Sequence, residues 1–310
     1  AGVMRIVFFG TPDFAVPSLE ALLAERAHVV GVVTQPDKPQ GRSRSTLVPP
    51  PVKRVALRHG LPLLQPERPR GDVFLAALRH WQPEIGVVVA YGHILRPDVL
   101  ALPSGGMINV HASLLPRLRG AAPINWAIRE GHSETGITIM RMEPGMDSGP
   151  ILHRISTPIE PTDTAGTLTR RLAGLGADAL VESLALLQMG RLVPVPQDES
   201  LATYAPKIDR RTTRVNWGGD ATAVSRDIRA FDPEPGGWST LQGAEIKLFG
   251  ARPAQGSGRV GEVLITEPAF TVATGAGAVE IAEVQPSGKS RMPATAWSRG
   301  RGAAPGLVFE

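Results

Sequence analysis

Asn109 and His111 stand two residues apart in Asn109-Val-His-Ala-Ser-Leu-Leu-Pro-Arg-Leu-Arg-Gly120, and Asp147 follows in Glu143-Pro-Gly-Met-Asp-Ser-Gly149. An amide, an imidazole and a carboxylate are three tools for moving an acyl group. In acyl transfer to an amine, the carbonyl oxygen gains negative charge and needs donors, and the attacking nitrogen must shed a proton. The Asn109 amide can donate to that oxyanion. His111 can donate or shuttle a proton near neutral pH, and Asp147 can orient or charge the imidazole, or collect the amine proton through water. Losing one oxyanion donor costs on the order of 3 kcal/mol in the barrier. Each residue also has a plain structural use: a satisfied histidine after a strand, an asparagine in a turn, an Asx-turn between Gly145 and Gly149. Spacing alone leaves both readings open.

Other chemistries are disfavoured by what the chain lacks. There is no cysteine, which excludes disulfides, thiolate metal sites and thiol nucleophiles. No Gly-x-Ser-x-Gly occurs, so Ser113 is a poor serine-hydrolase nucleophile. The phosphate-loop pattern Gly-x-x-x-x-Gly-Lys-Ser/Thr is also missing. The few histidines are scattered without ligand spacing, and no metal is expected.

The elements that must position Asn109 and His111 read as a mostly parallel α/β sheet. Strands are expected at 5–10, 28–33, 85–90, 107–110, 136–142 and 151–156. Helices are expected at 11–25, 52–59, 72–81, 122–130 and 164–189, with a loop from 35 to 51. Asn109 and His111 then share one side of a strand end, followed by a Pro-rich, Gly-bounded turn. Ligands bind at such carboxyl ends. The first strand runs into Gly10-Thr-Pro-Asp-Phe14 rather than Gly-x-Gly-x-x-Gly, so a dinucleotide site is not expected there, although the helix start can still hold a ligand through its backbone. Residues 191–207 are rich in Pro and polar groups, as a linker is. Beyond them come a helix at 221–230 and short β-runs near 237–242, 245–250, 259–265, 270–274 and 278–284, which suggest a small antiparallel barrel. The expected division is a catalytic domain over 4–190, a linker over 191–207 and a barrel domain over 208–310.

At 310 residues the chain is long enough for two cores. Its formal charge of +4 is a weak signal for a polyanionic partner. No apolar run reaches the roughly 18 residues that cross a bilayer and no leader pattern opens the chain, so a cytoplasmic protein with no membrane partner is expected. Between Lys38 and Arg58 stand six cations (Lys38, Arg42, Arg44, Lys53, Arg54, Arg58) and no acid. Such a stretch is either a solvated basic loop or an arm that follows phosphates.

Asn109 to Ile124 resembles the signature of the 10-formyltetrahydrofolate-dependent formyltransferases. The likeness extends over almost the whole chain through Phe9-Gly-Thr-Pro-Asp-Phe14, Thr34-Gln-Pro-Asp-Lys-Pro-Gln-Gly-Arg42, Val88-Val-Ala-Tyr-Gly92, Gly136-Ile-Thr-Ile-Met140, Gly145-Met-Asp-Ser-Gly149, Thr203-Tyr-Ala-Pro-Lys-Ile208 and Ile228-Arg-Ala-Phe231. These flanking segments are similar to the branch that formylates methionyl-initiator tRNA. The resemblance implies a Rossmann-like domain joined to an OB-like barrel. It implies 10-formyltetrahydrofolate as formyl donor and co-substrate, and Asn109, His111 and Asp147 as the catalytic set. Ser113, Leu114, Leu115 and Pro116 would form the folate-contacting loop, with Val88, Ala90 and Tyr91 and the loop near Asp147 flanking the pterin and Phe14 near the methionine side chain. Lys38, Arg42 and Arg44 would lie on a tRNA-contacting arm, and Lys207, Arg210 and Arg211 would track phosphates from the linker. A monomer with no obligate protein partner is implied.

The implied reaction is attack of the methionyl α-amino group on the formyl carbon. Asn109 and protonated His111 would steady the oxyanion while Asp147 sustains the charge. Two departures stand out: Ser43-Arg44-Ser45 is less lysine-rich than the family version, and Arg210 and Arg211 stand where many relatives carry acids. The rival readings are formylation of an amino-sugar nucleotide, hydrolytic release of formate, and a non-catalytic nucleic-acid binder.

Overall fold

The computed structural model describes residues 2–41, 43–300 and 302–310. In chain order the elements are β1 (Arg5–Gly10), α1 (Val16–Ala24), β2 (His28–Val33), β3 (Lys38–Gln40), β4 (Thr46–Val48), α2 (Pro51–Arg58), β5 (Leu63–Leu64), α3 (Asp72–His80) and β6 (Ile85–Val89). Next come α4 (Pro97–Leu100), β7 (Met107–His111), α5 (Pro123–Arg129), β8 (Glu134–Arg141), β9 (Ile151–Pro158) and α6 (Ala165–Gln188). The rest is α7 (Arg210–Thr213), α8 (Ala221–Arg229), β10 (Gly237–Leu241), β11 (Ala244–Ala254), β12 (Val263–Ile265), β13 (Phe270–Ala273), β14 (Ala278–Pro286), β15 (Met292–Pro293) and α9 (Ala294–Arg299). They divide into two compact units. The first comprises the chain up to residue 120 with 135–157 and 170–204; the second comprises 121–134, 158–169 and 205–310.

The first unit is built on a seven-stranded sheet in the order β5-β2-β1-β6-β7-β8-β9. Neighbours from β5 to β7 run parallel, and β8 turns antiparallel against β7. The cause is legible in β1, β2 and β6, whose apolar residues are buried without alternation. Strands covered on both faces need that pattern. Helix α3 covers one face with Phe74, Leu75 and Leu78. The strand order reverses between β1 and β6, and a crevice opens outside the carboxyl ends of strands at such a reversal. The expected parallel α/β sheet is thus present, with most element ends within a residue or two of expectation.

The stretch from 35 to 51, expected as a loop, differs. It contains a two-stranded hairpin pairing Lys38 with Val48, Pro39 with Leu47 and Gln40 with Thr46. Gly, Ser and Pro mask the strands in composition, but three backbone pairs around a turn need no apolar alternation to form.

The second unit is a curled antiparallel sheet in the order β10-β11-β14-β13-β12, with β15 on β14. Residues 307–310 bring its two edges together: Phe309 bridges Leu241 and Val308 bridges Glu262. The result is a half-barrel of OB-like form around Ile246, Leu248, Val263, Phe270, Val272 and Ile281. Asp220 caps α8 by accepting from Ala223 N at 2.8 Å, and the helix lays Val224 and Ile228 on that core.

Candidate active site

Gly10 ends β1 because nothing larger fits: a Cβ there would lie 2.9 Å from Val89 O. The chain then turns through Thr11, whose hydroxyl donates to Tyr91 O at 2.8 Å; the Gln35 amide donates to the same oxygen at 3.0 Å. These bonds fix the turn after β6. Ala90 lies exposed in that turn at φ +49°, and Gly92 follows at φ +96°. Val88 and Tyr91 belong to the core. Burial pushes the Tyr91 phenol up to about 12, and its ring meets Phe9 edge-on at 5.3 Å. Of the three residues expected beside a pterin, only Ala90 is exposed; the Val88 and Tyr91 side chains lie in the core, and their carbonyls already accept from Asn109 and from Thr11 and Gln35. Phe14 sits half-buried on the short turn between β1 and α1.

On β7, Asn109 and His111 flank Val110 and share one side of the strand. The Asn109 Nδ2 donates one hydrogen to Val88 O at 3.2 Å. Its second N–H is left for another acceptor. His111 is 7% exposed, with Nε2 2.9 Å from Leu118 O. A carbonyl only accepts, so Nε2 carries the hydrogen and neutral His111 presents a lone pair at Nδ1. Nδ1 lies 3.8 Å from Asp147 Oδ2. That is past hydrogen-bond length but well within Coulomb reach. Asp147 is 22% exposed. Its Oδ2 also accepts from Gly120 N at 2.8 Å. Its backbone is held at φ +53°, a left-handed setting that aspartate adopts more readily than most L-residues but less readily than glycine. The structure therefore brings Asp147 to His111 across 36 residues of chain, from a turn whose geometry must be enforced.

The loop after β7 is stitched from inside. Thr138 on β8 donates its hydroxyl to Ser113 O at 2.6 Å and accepts from Leu115 N at 3.0 Å. Arg154 on β9 donates to Leu115 O at 3.0 Å. The Ser113 hydroxyl donates to Arg117 O at 2.6 Å, closing the loop on itself. Ser113, Leu115 and Pro116 are buried, whereas Leu114 is half-buried. From the stretch expected as a linker, Thr203 accepts from Leu118 N through its hydroxyl (2.8 Å) and from Arg119 N through its carbonyl (2.9 Å). Sequence reasoning missed Thr138, Arg154, Gln197 and Thr203. Their partners lie far away in the chain; Thr138 and Thr203 stand inside the family-like segments 136–140 and 203–208, but nothing in those segments gave either a role.

Lys38 and Arg44 are exposed on the β3–β4 hairpin; Arg42 lies outside the described residues. Lys53 is not a free cation, since its ammonium pairs with Asp37 at 2.9 Å. In the second unit, Lys207 and Arg211 are exposed. Arg210 forks onto Glu245, and these hydrogen bonds hold the Glu245 carboxyl below its ordinary value. The Arg210 guanidinium also stacks 4.1 Å over the Trp238 ring. Among the described residues no helix is long and apolar enough to cross a membrane. No three His, Asp or Glu side chains there are grouped to hold a metal ion.

The family model for formyl transferases matches residues 4–184, and that for the formyl transferase carboxyl-terminal domain matches 207–302. The curated methionyl-tRNA formyltransferase of Moorella thermoacetica is 46% identical over 99% of both chains. That of Geobacillus thermodenitrificans is 47% identical over 96% of this chain and 95% of its own. Among solved structures, HypX from Aquifex aeolicus in complex with tetrahydrofolic acid superposes with a TM-score of 0.69 at 22% identity. It covers 95% of this chain, which spans only 47% of HypX. The sugar 3N-formyl transferase WlaRD gives a TM-score of 0.69 at 18% identity, covering 94% of this chain and 100% of its own. At these identities the structural likeness is one of fold.

Proposed function

The chain belongs to the methionyl-tRNA formyltransferase family of formyl transferases, and from that membership we propose that it moves the formyl group of 10-formyltetrahydrofolate to the α-amino group of methionyl-initiator tRNA. The observation that carries the acceptor is the 46% identity spread over 99% of both chains. The Asn109, His111 and Asp147 geometry carries the chemistry. It supports transfer to an amino-sugar nucleotide equally well, so it does not choose the acceptor. Formylation serves translation initiation and belongs in the cytoplasm, and a single chain acting as a monomer holds every residue used below.

The crevice suits a folate as the donor substrate. The exposed Ala90 turn presents backbone donors and acceptors to a pterin edge, and the Ser113–Pro116 loop is held in place to border it. Asn109 donates its second N–H to the formyl oxygen as that oxygen becomes an oxyanion. His111 Nδ1 accepts the proton that the attacking amine sheds. The imidazolium then lies between Leu118 O and the Asp147 carboxylate, which stabilise it. The proton passes to N10 as the carbon–N10 bond breaks, so the amine loses one hydrogen and tetrahydrofolate leaves with it. Phe14 borders the methionine side chain. Lys38 and Arg44 on the hairpin, together with Arg42, and Lys207, Arg210 and Arg211 from the carboxyl side of the sequence, meet tRNA phosphates.

The test offers purified protein 10-formyltetrahydrofolate with charged initiator tRNA, an amino-sugar nucleotide and water as competing acceptors. Formyl-methionyl-tRNA is the expected main product. His111→Ala and Asp147→Asn each lower kcat about 1000-fold, and Asn109→Ala lowers it about 100-fold or more, while folate binding persists in all three. Formyl transfer to the sugar nucleotide alone, or near-normal kcat in the His111 and Asp147 variants, sinks the reading.

A further inference from the structure

Gln197 lies in the Pro-rich segment that reads as a linker, yet it is only 9% exposed. Its Nε2 donates to Asp147 O and to Gly149 O, both at 2.8 Å. Its Oε1 accepts from Arg119 Nε at 3.1 Å and Nη2 at 2.8 Å. Both amide hydrogens and the amide oxygen are therefore committed. Arg119, 3% exposed, forks in turn onto Glu199 with two bonds of 2.8 Å. These hydrogen bonds hold the Arg119 guanidinium above its ordinary value and the Glu199 carboxyl below its own. Glu199 is 68% exposed, so the pair's outer end meets water. A continuous chain of hydrogen bonds runs from that carboxylate through a buried cation and an amide to the two carbonyls on either side of Ser148. The cation polarises the amide and strengthens its N–H donors.

The Asp147 turn needs such a clamp. Its backbone stands at φ +53°, Gly145 before it stands at φ +120°, and Met146 between them is exposed. The neighbouring residues Arg119 and Gly120 act on Asp147 by two routes. Gly120 N holds its carboxylate directly at 2.8 Å, and Arg119 holds its carbonyl through Gln197.

We propose that Gln197, braced by Arg119, is a positioning residue: it fixes the Asp147 turn so that the carboxylate stays beside His111 Nδ1 during transfer. The role rests on the formyl-transfer reading. It adds that the segment joining the two family domains is part of the catalytic apparatus. The Gln197 amide is spent on Arg119 and on the Asp147 and Gly149 carbonyls, so its effect is expected on the chemical step more than on the binding of either substrate.

Two variants test this. Gln197→Met keeps the volume and removes every hydrogen bond. Gln197→Glu keeps an acceptor for Arg119 and removes the donor to Asp147 O. Each should lower kcat about 10- to 100-fold, the scale of a misplaced group about 1 Å off, with both KM values within about threefold. In the Asp147→Asn background, single-turnover rates should show no further loss from Gln197→Met, because the group being positioned is already gone. A wild-type kcat in Gln197→Met, a change confined to KM, or the same fold-loss with Asp147→Asn as without it overturns the proposal. Should Gln197→Met fail to fold, Gln197→Glu carries the same comparison. Wild-type protein that transfers no formyl group refutes the functional reading instead, so the two failures are distinguishable.

Discussion

One buried hydroxyl fixes the start of the loop that follows β7. Thr138 Oγ1 is fully buried and serves both Ser113 O and Leu115 N. Thr138→Val keeps the shape and leaves both backbone groups without their partner. Buried unsatisfied groups cost about 1–3 kcal/mol each. Urea denaturation should show a loss of that order, and the KM for folate should rise while that for tRNA stays level. A variant as stable as wild type would mean that the loop finds other partners. At this scale the sequence was informative where chemistry is local. The two-residue spacing of Asn109 and His111 placed them on one side of a strand. It could not show that Leu118 O sets the His111 tautomer, that Val88 and Tyr91 keep their side chains in the core, or that Gln197 holds the Asp147 turn. Those facts depend on contacts across many intervening residues, which carry no spacing pattern.

The elements divide in the same way. Runs such as Ile85–Val89 and the spacing of Val52, Val55 and Ala56 announce their burial, and β6 and α2 form there. The β3–β4 hairpin and the closing segment 307–310 announce nothing, because pairing rather than apolar pattern creates them. Two-stranded hairpins are marginal on their own in water. One carrying Lys38 and Arg44 is suited to settle onto a polyanion. Replacing Lys38, Arg42 and Arg44 by Ala should raise the KM for tRNA about tenfold or more at low salt. Each lost phosphate contact should flatten the slope of log affinity against log salt by about 1. Folate KM should be unchanged. An unaltered salt slope would remove the hairpin from the tRNA interface and leave the Lys207–Arg211 stretch as the phosphate-tracking surface.

Across the whole molecule, two separate cores mean that unfolding need not be a single step, so a probe confined to one unit is required. Tryptophan supplies it once Trp81, in the first unit, is replaced by Phe, because Trp126, Trp217, Trp238 and Trp297 all lie in the second. That unit also buries Asp232, 5% exposed, whose Oδ2 accepts from Gly250 N at 2.8 Å and whose Oδ1 lies 3.7 Å from Arg291. Burial pushes the Asp232 carboxyl above its ordinary value of 3.8, and the Gly250 and Arg291 contacts only partly offset it. Below the unfolded value both states hold the proton and the charge costs nothing. As pH rises, the unfolded chain releases its proton first while the folded unit still binds its own. The folded state therefore loses relative stability from about pH 4 until its own raised value is passed, and the loss stays constant above that. Asp232→Asn keeps an acceptor for Gly250 N and removes the charge. Its fluorescence-detected melting temperature should match wild type near pH 3 and exceed it at pH 7, the gap opening above about pH 4. A variant less stable than wild type at pH 7 would show that the Arg291 pairing outweighs desolvation, and that the half-barrel depends on this buried charge rather than tolerating it.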